Sequence, residues 1–166
     1  MLSQTFLKSI LHYDPATGVF TRLVTRGHAK KGTQAGTIKK DKDRLVQYRR
    51  INILGTLYYE HQLAFLYMQG RIPKFVDHKN CDGCDNRWVN LREATQSQNQ
   101  ANTFAQSNST YGKKGVTWNK RENKWMSGIM CNRQKFHIGY FNTKEEAAAA
   151  YVAKAKELFG EFARIK

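Results

Sequence analysis

Along residues 45–53 the chain alternates between two faces, Leu45, Gln47, Arg49, Ile51 and Ile53 against Val46, Tyr48, Arg50 and Asn52. A period of two is that of a strand, and Leu54-Gly55-Thr56 turning into Leu57-Tyr58-Tyr59 predicts a hairpin. The period then changes. Across residues 60–69, Leu63, Ala64, Leu66 and Tyr67 form one stripe at helical spacing, closed by Gly70, and Pro73 marks the approach to a strand at Phe75-Val76-Asp77-His78. Upstream, residues 9–24 carry Asp14-Pro15-Ala16-Thr17-Gly18 between apolar flanks, which predicts a helical turn, a tight turn and a strand over residues 19–25. Residues 26–44, with His28-Ala29-Lys30-Lys31-Gly32 and Lys39-Lys40-Asp41-Lys42, predict a solvated basic loop able to meet phosphate.

After a polar loop, Thr95-Gln96-Ser97-Gln98 is a capping box that opens a short helix carrying Asn99. Residues 102–112 are polar, include Ser107-Asn108-Ser109-Thr110, and predict a linker. Three strand-like segments follow at residues 115–119, 124–130 and 135–140, and then one long helix. Thr143-Lys144-Glu145-Glu146 caps that helix, Gly160 ends it, and Ala148, Tyr151, Val152, Ala155, Leu158 and Phe159 form its apolar stripe. The pattern is that of an α+β protein divided into residues 1–103, a linker at 104–112 and residues 113–166.

Composition narrows the class of partner. The chain has 28 Lys+Arg against 13 Asp+Glu, a formal charge of +15. Both parts contribute, with 16 basic and 8 acidic side chains up to Gln106 and 12 and 5 after it. Such an excess favours a polyanion. No stretch approaches the roughly 18 apolar residues of a membrane span, and the first residues lack a signal-like apolar core. Cys81, Cys84 and Cys131 are too few for a disulfide framework. A cytoplasmic protein with no membrane partner is expected.

The chemistry concentrates between Val76 and Asn99. Phosphodiester hydrolysis needs a base for water, a cation for the phosphate charge and ligands for that cation. His78 suits the base, and the oxygens of Asp77 and Asn99 suit a hard divalent ion. Cys81-x-x-Cys84 has the spacing of half a zinc site, but no second pair completes it. His61 is expected to serve the amphipathic helix structurally.

The run Asp77-His78…Asn90-Leu91-Arg92…Thr95…Asn99, extended by Asp14-Pro15…Thr17-Gly18 and His61-Gln62-Leu63-Ala64, resembles the HNH (ββα-metal) nucleases of the phage homing-endonuclease type. The resemblance implies that His78 is the general base, that Asn90 steadies the loop and orients the base, and that Asp77 and Asn99 hold one Mg²⁺ or Mn²⁺ ion. Asn99 stands where many members have His, which disfavours Zn²⁺ or Ni²⁺.

The segment Gly115-Val116…Lys124-Trp125…Ile138-Gly139-Tyr140-Phe141…Glu146-Ala147-Ala148…Tyr151…Gly160 resembles AP2 domains, which implies a three-stranded antiparallel sheet on one helix that reads DNA. Alternation predicts Val116, Trp118, Trp125, Ser127, Ile129, Phe136 and Ile138 toward the helix. The expected DNA surface comprises Lys113, Lys114, Thr117, Asn119, Lys120, Arg121, Lys124, Met130, Arg133, Lys135 and His137, with Met126 on the same face. Thr117, Met130 and His137 occupy positions where plant AP2 domains carry arginines, which implies looser base readout. Together these resemblances imply a metal-dependent endonuclease that nicks double-stranded DNA, bound as a monomer. The competing expectations are a catalytically inactive DNA-binding regulator and an RNA-directed protein.

Overall fold

The computed structural model describes residues 2–39, 46–104 and 111–164. They form two compact units, Met1–Glu93 and Ala94–Lys166.

In the first unit, helix α1 (Gln4–Ile10) is opened by Ser3, whose hydroxyl accepts from the Phe6 amide, and runs directly into β1 (Leu11–Asp14). Strand β1 pairs antiparallel with β2 (Val19–Arg22), aligning Tyr13 with Phe20. The sequence predicts only the second of these strands; β1 lies where a helical turn is expected. A three-stranded antiparallel sheet follows, with β4 (Tyr48–Ile53) central between β3 (Thr37–Lys39) and β5 (Thr56–Tyr59). The predicted hairpin is therefore present. Its third strand, β3, lies inside the stretch expected to be loop. The expected start of the hairpin at Leu45 and the basic run Lys40-Asp41-Lys42 lie outside the described residues.

Helix α2 (Glu60–Gln69) ends at Gly70, whose φ of 74° makes the left-handed cap. Its Leu63, Ala64, Phe65 and Leu66 are buried with Leu7, Leu11, Tyr13, Phe20, Ile51 and Ile53 in one core. A side chain buried to that degree contributes about 1.5–3 kcal/mol. Strand β6 (Val76–His78) pairs with β7 (Leu91–Glu93) so that Asp77 faces Arg92 and His78 faces Leu91. Strand β7 lies in a segment read from sequence as polar loop.

In the second unit, α3 (Gln96–Ala101) begins at the expected Thr95–Gln98 capping box. The sheet places β9 (Lys124–Cys131) between β8 (Val116–Asn119) and β10 (Gln134–Phe141), all antiparallel. Helix α4 (Lys144–Phe159), capped by Thr143 and Gly160, covers one face and buries Ala147, Tyr151, Ala155 and Phe159 at intervals of four. The expected boundary shifts. Helix α3, grouped from sequence with residues 1–103, packs in the second unit, because Ala101 joins the cluster of Ile129, Tyr151 and Ala155. Of the expected linker, residues 105–110 lie outside the described residues. No helix among the described residues is long and apolar enough to cross a membrane.

One turn ties the β1–β2 hairpin to the middle of the first unit. Gly18 has φ +74°, and a Cβ there would collide with the backbone of Asn86 and Arg87. Both the torsion and the contact exclude a side chain. Gly18→Ala is expected to lower unfolding free energy by more than about 1 kcal/mol in urea titrations, whereas Gly55→Ala, also at positive φ but with open space around it, carries the torsional cost alone. Equal losses in the two variants would remove the argument from close approach.

Candidate active site

His78 ends β6 and is 5% exposed; Asp77 beside it is 6% exposed. The Asp77 carboxylate accepts from Arg92 Nε across the β6–β7 pair at 2.7 Å, a charge-assisted bond that orients it. The loop between these strands is closed by Asn90. Its Oδ1 accepts from the Asn80 amide at 3.1 Å, while its Nδ2 donates to Asn80 Oδ1 at 3.0 Å and to the Asp85 carbonyl at 2.8 Å. Loop closure also reaches His78, since the Cys81 amide donates to the His78 carbonyl at 2.8 Å.

A second set of residues, not singled out in the sequence, holds the His78 ring. His78 Nε2 lies 3.2 Å from Asn86 Oδ1, and Asn86 Nδ2 donates to Glu60 Oε2 at 3.1 Å. Glu60 opens α2, is 1% exposed, and takes the Arg49 Nε between both carboxylate oxygens at 3.1 Å each. Arg49 in turn donates to the Ala35 and Gly36 carbonyls. The chain of bonds assigns the tautomer. Because the Asn86 amide nitrogen faces a carboxylate, its oxygen faces the ring, and an oxygen only accepts. Nε2 therefore carries the proton, and the neutral ring keeps its lone pair on Nδ1.

Asn86 is itself fixed from the opposite side, where Tyr13 Oη donates to its carbonyl at 2.7 Å and Gly18 packs on its backbone. Burial raises the pKa of Glu60, opposed by the charge and hydrogen bond of Arg49. For His78, burial lowers the pKa, opposed by the bond to Asn86 and the charge of Asp77. Burial thus favours the neutral form of the His78 ring.

His61 stands edge-on to His78, with centroids 5.1 Å apart, and is stacked on Tyr59 at 5.2 Å and edge-on to Tyr48 at 5.5 Å. Its Nδ1 is buried without a hydrogen-bond partner among the described residues. It is an aromatic neighbour of His78 as well as a helix residue. The cysteines have a different setting. Cys84 Sγ donates to the Gln47 carbonyl at 3.5 Å, and burial, then Asp82, raises its pKa. Those conditions keep a thiol protonated. No group of three His, Cys, Asp or Glu side chains able to hold a metal occurs among the described residues.

Asp77, His78 and Asn90 are brought together within the first unit. Asn99, half-buried, is carried by α3 of the second. There, the β8–β9–β10 register puts Thr117 opposite Met126, Asn119 opposite Lys124 and Lys135 opposite Met130, with Met130 54% exposed. A bulge between His137 and Gly139 then flips the strand, so that Tyr140 shares this face. Its ring lies tilted against that of His137, centroids 4.7 Å apart, and its hydroxyl accepts from the Asn119 amide at 3.4 Å. Simple alternation places Tyr140 on the helix side. Lys113, Lys120, Arg121 and Arg133 are exposed, and Trp118 meets Trp125 edge-on. Lys114 has a structural use: its Nζ donates to the carbonyls of Gln100, Ala101 and Thr103, capping the end of α3.

Residues 58–101 match the family described as HNH endonuclease. The chain is 37% identical over 112 residues to the uncharacterized HNH endonuclease L560 of Acanthamoeba polyphaga mimivirus, a match covering 66% of this chain and 57% of that protein. It is 28% identical over 99 residues to Protein 3.8 of Escherichia phage T7, covering 58% of this chain and 81% of that one. The chain thus spans little more than half the length of the mimivirus relative. No solved structure gives a significant match. The segment that is similar to the HNH endonuclease family runs from the end of β5 to the end of α3.

Burial, followed by the charge of His78, pushes the His61 pKa down to about 3. The unfolded ring takes up its proton near 6.5. Between these values the unfolded state binds more protons, so stability rises with pH across the window and is lost as pH falls through it. Unfolding free energy measured from about pH 7 down to about pH 4 is expected to fall less for His61→Gln than for the parent. Parallel curves would show that the buried ring is not neutral.

Proposed function

We propose that the chain is a divalent-metal-dependent endonuclease acting on double-stranded DNA, with a ββα-metal nuclease site and an AP2-like reader built on β8, β9, β10 and α4. The observation that carries the reading is the buried His78 ring, its Nε2 held 3.2 Å from Asn86 Oδ1, beside the Arg92-oriented carboxylate of Asp77.

In this reading Nδ1 of His78 takes a proton from water as the hydroxide oxygen attacks the scissile phosphorus and the ester oxygen departs. The imidazolium that forms is steadied through Nε2 by Asn86, whose amide is turned by Glu60. Asn90 holds the loop on which the base sits. Asp77 and, by the family pattern, Asn99 would hold one cation; a carboxylate and an amide oxygen are hard donors that fit Mg²⁺ or Mn²⁺. When bound, that cation supplies charge stabilisation at the phosphate and leaving oxygen. One base and one cation serve one strand per engagement, so the product is a nick and the working form a monomer.

The exposed face of β8–β10, with Thr117, Asn119, Lys124, Met130, Lys135 and His137 flanked by Lys113, Lys120, Arg121 and Arg133, is the proposed DNA-reading surface. Two lysines within it and arginines at its edges favour phosphate contact over guanine readout.

With Mg²⁺ or Mn²⁺ the purified protein is expected to convert supercoiled plasmid to open circles, and His78→Ala to slow this by about 10²–10⁴-fold. Undiminished cutting by His78→Ala would overturn the assignment. Asn86→Ala is expected to lower kcat about tenfold to a hundredfold, as for loss of an orienting partner, while metal-free affinity for the same duplex stays at the parent value. A variant that lost affinity and kept kcat would show Asn86 to have no part in positioning the base.

A further inference from the structure

A cleft of about 380 Å³ in the first unit is lined by none of Glu60, Asp77, His78, Asn86 and Asn90. It lies between β2 with its following loop and the β3–β4–β5 sheet, floored by apolar side chains such as Ile51 and Leu57. Arg22, Arg26 and Arg50 line it, and among the described residues no carboxylate does.

None of the three guanidinium groups pairs with a carboxylate among the described residues. Arg22 Nη1 donates to Thr33 Oγ1 at 3.1 Å and to the Gln34 carbonyl, neutral acceptors that orient the group without cancelling its charge. Arg50, on the central strand, donates to Tyr59 Oη at 3.1 Å and lies over the Tyr59 ring at 4.6 Å. Its Nε is buried with no hydrogen-bond partner among the described residues. Arg26 is exposed on the loop beyond β2. Elsewhere in the unit, Arg49, Arg71, Arg87 and Arg92 each have an acidic partner.

Like charges converging on a partly apolar cleft raise the free energy of the folded chain unless an anion joins them. The planar fork of arginine matches phosphate oxygens.

We infer that this cleft is a second DNA-contacting site, which takes the phosphodiester backbone of the duplex outside the scissile position. The phosphate oxygens meet Arg22, Arg26 and Arg50, and the apolar floor lies against the sugar. The inference rests on DNA being the substrate, and it adds a backbone grip within the nuclease unit that is separate from the β8–β10 face.

The test is fluorescence anisotropy of a labelled duplex with the full chain in EDTA, so that the readout does not depend on cleavage. Each lost phosphate contact lowers the slope of log K against log salt by about 0.9, so raising salt from about 50 to 200 mM costs the variant roughly threefold less affinity than the parent. That change is expected for Arg26→Ala and Arg50→Gln, and not for Lys8→Ala, which removes the same charge from an exposed position outside the cleft. Circular dichroism checks that Arg50→Gln is folded; if it is not, the exposed Arg26 carries the result. Parental slopes in the cleft variants, an equal change in Lys8→Ala, or no duplex binding at all would overturn the inference. A chain that never cuts, yet loses slope in the cleft variants, would remove the nuclease reading and leave the cleft standing.

Discussion

The first unit is organised around one buried carboxylate. Glu60 begins α2, receives Arg49 from β4, and through Asn86 reaches the ring of His78 at the end of β6. An ionised group at 1% exposure is tolerated only with a paired charge and satisfied oxygens. Arg49 and Asn86 supply both. Gly36 completes the arrangement, since a Cβ at its φ of +82° would meet Glu60 Oε1. The same bonds that make the carboxylate tolerable hold sheet, helix and loop in register.

The site chemistry is a consequence of that burial. A carboxylate facing the Asn86 amide turns the amide, the amide fixes the imidazole tautomer, and the surrounding rings lower proton affinity by excluding water. His61, Tyr48 and Tyr59 form that wall. The pairing of Asp77 with Arg92 across the two strands likewise holds that carboxylate in one orientation.

The second unit gets its stability from a different source, with apolar side chains at every fourth position of α4 covering one face of the sheet. Its opposite face is left to solvent and to whatever it recognises. The bulge in β10 gives that face an aromatic side chain, Tyr140, beside His137 and Asn119, and it reaches beyond the lysines and arginines of the expected surface. Lys114 shows the converse, a basic residue whose charge is used to close a helix end.

What the sequence determined by itself was set by local chemistry. Capping boxes at Thr95 and Thr143, the stops at Gly70 and Gly160, the β4–β5 hairpin and the strand–loop–helix spacing of Asp77, His78, Asn90 and Asn99 are all readable, because neighbours in the chain specify them. Short strands such as β1, β3 and β7 were not, since they lie in stretches that read locally as helical turn or loop and exist as strands only by pairing. The tertiary structure alone decided that Glu60 and Asn86, 26 positions apart, act on His78. It also decided that Tyr140 crosses to the open face, that α3 packs with the second unit, and that three separated arginines line one cleft. Each depends on free energies of burial, pairing or charge that arise only when distant segments meet, and no local pattern records them.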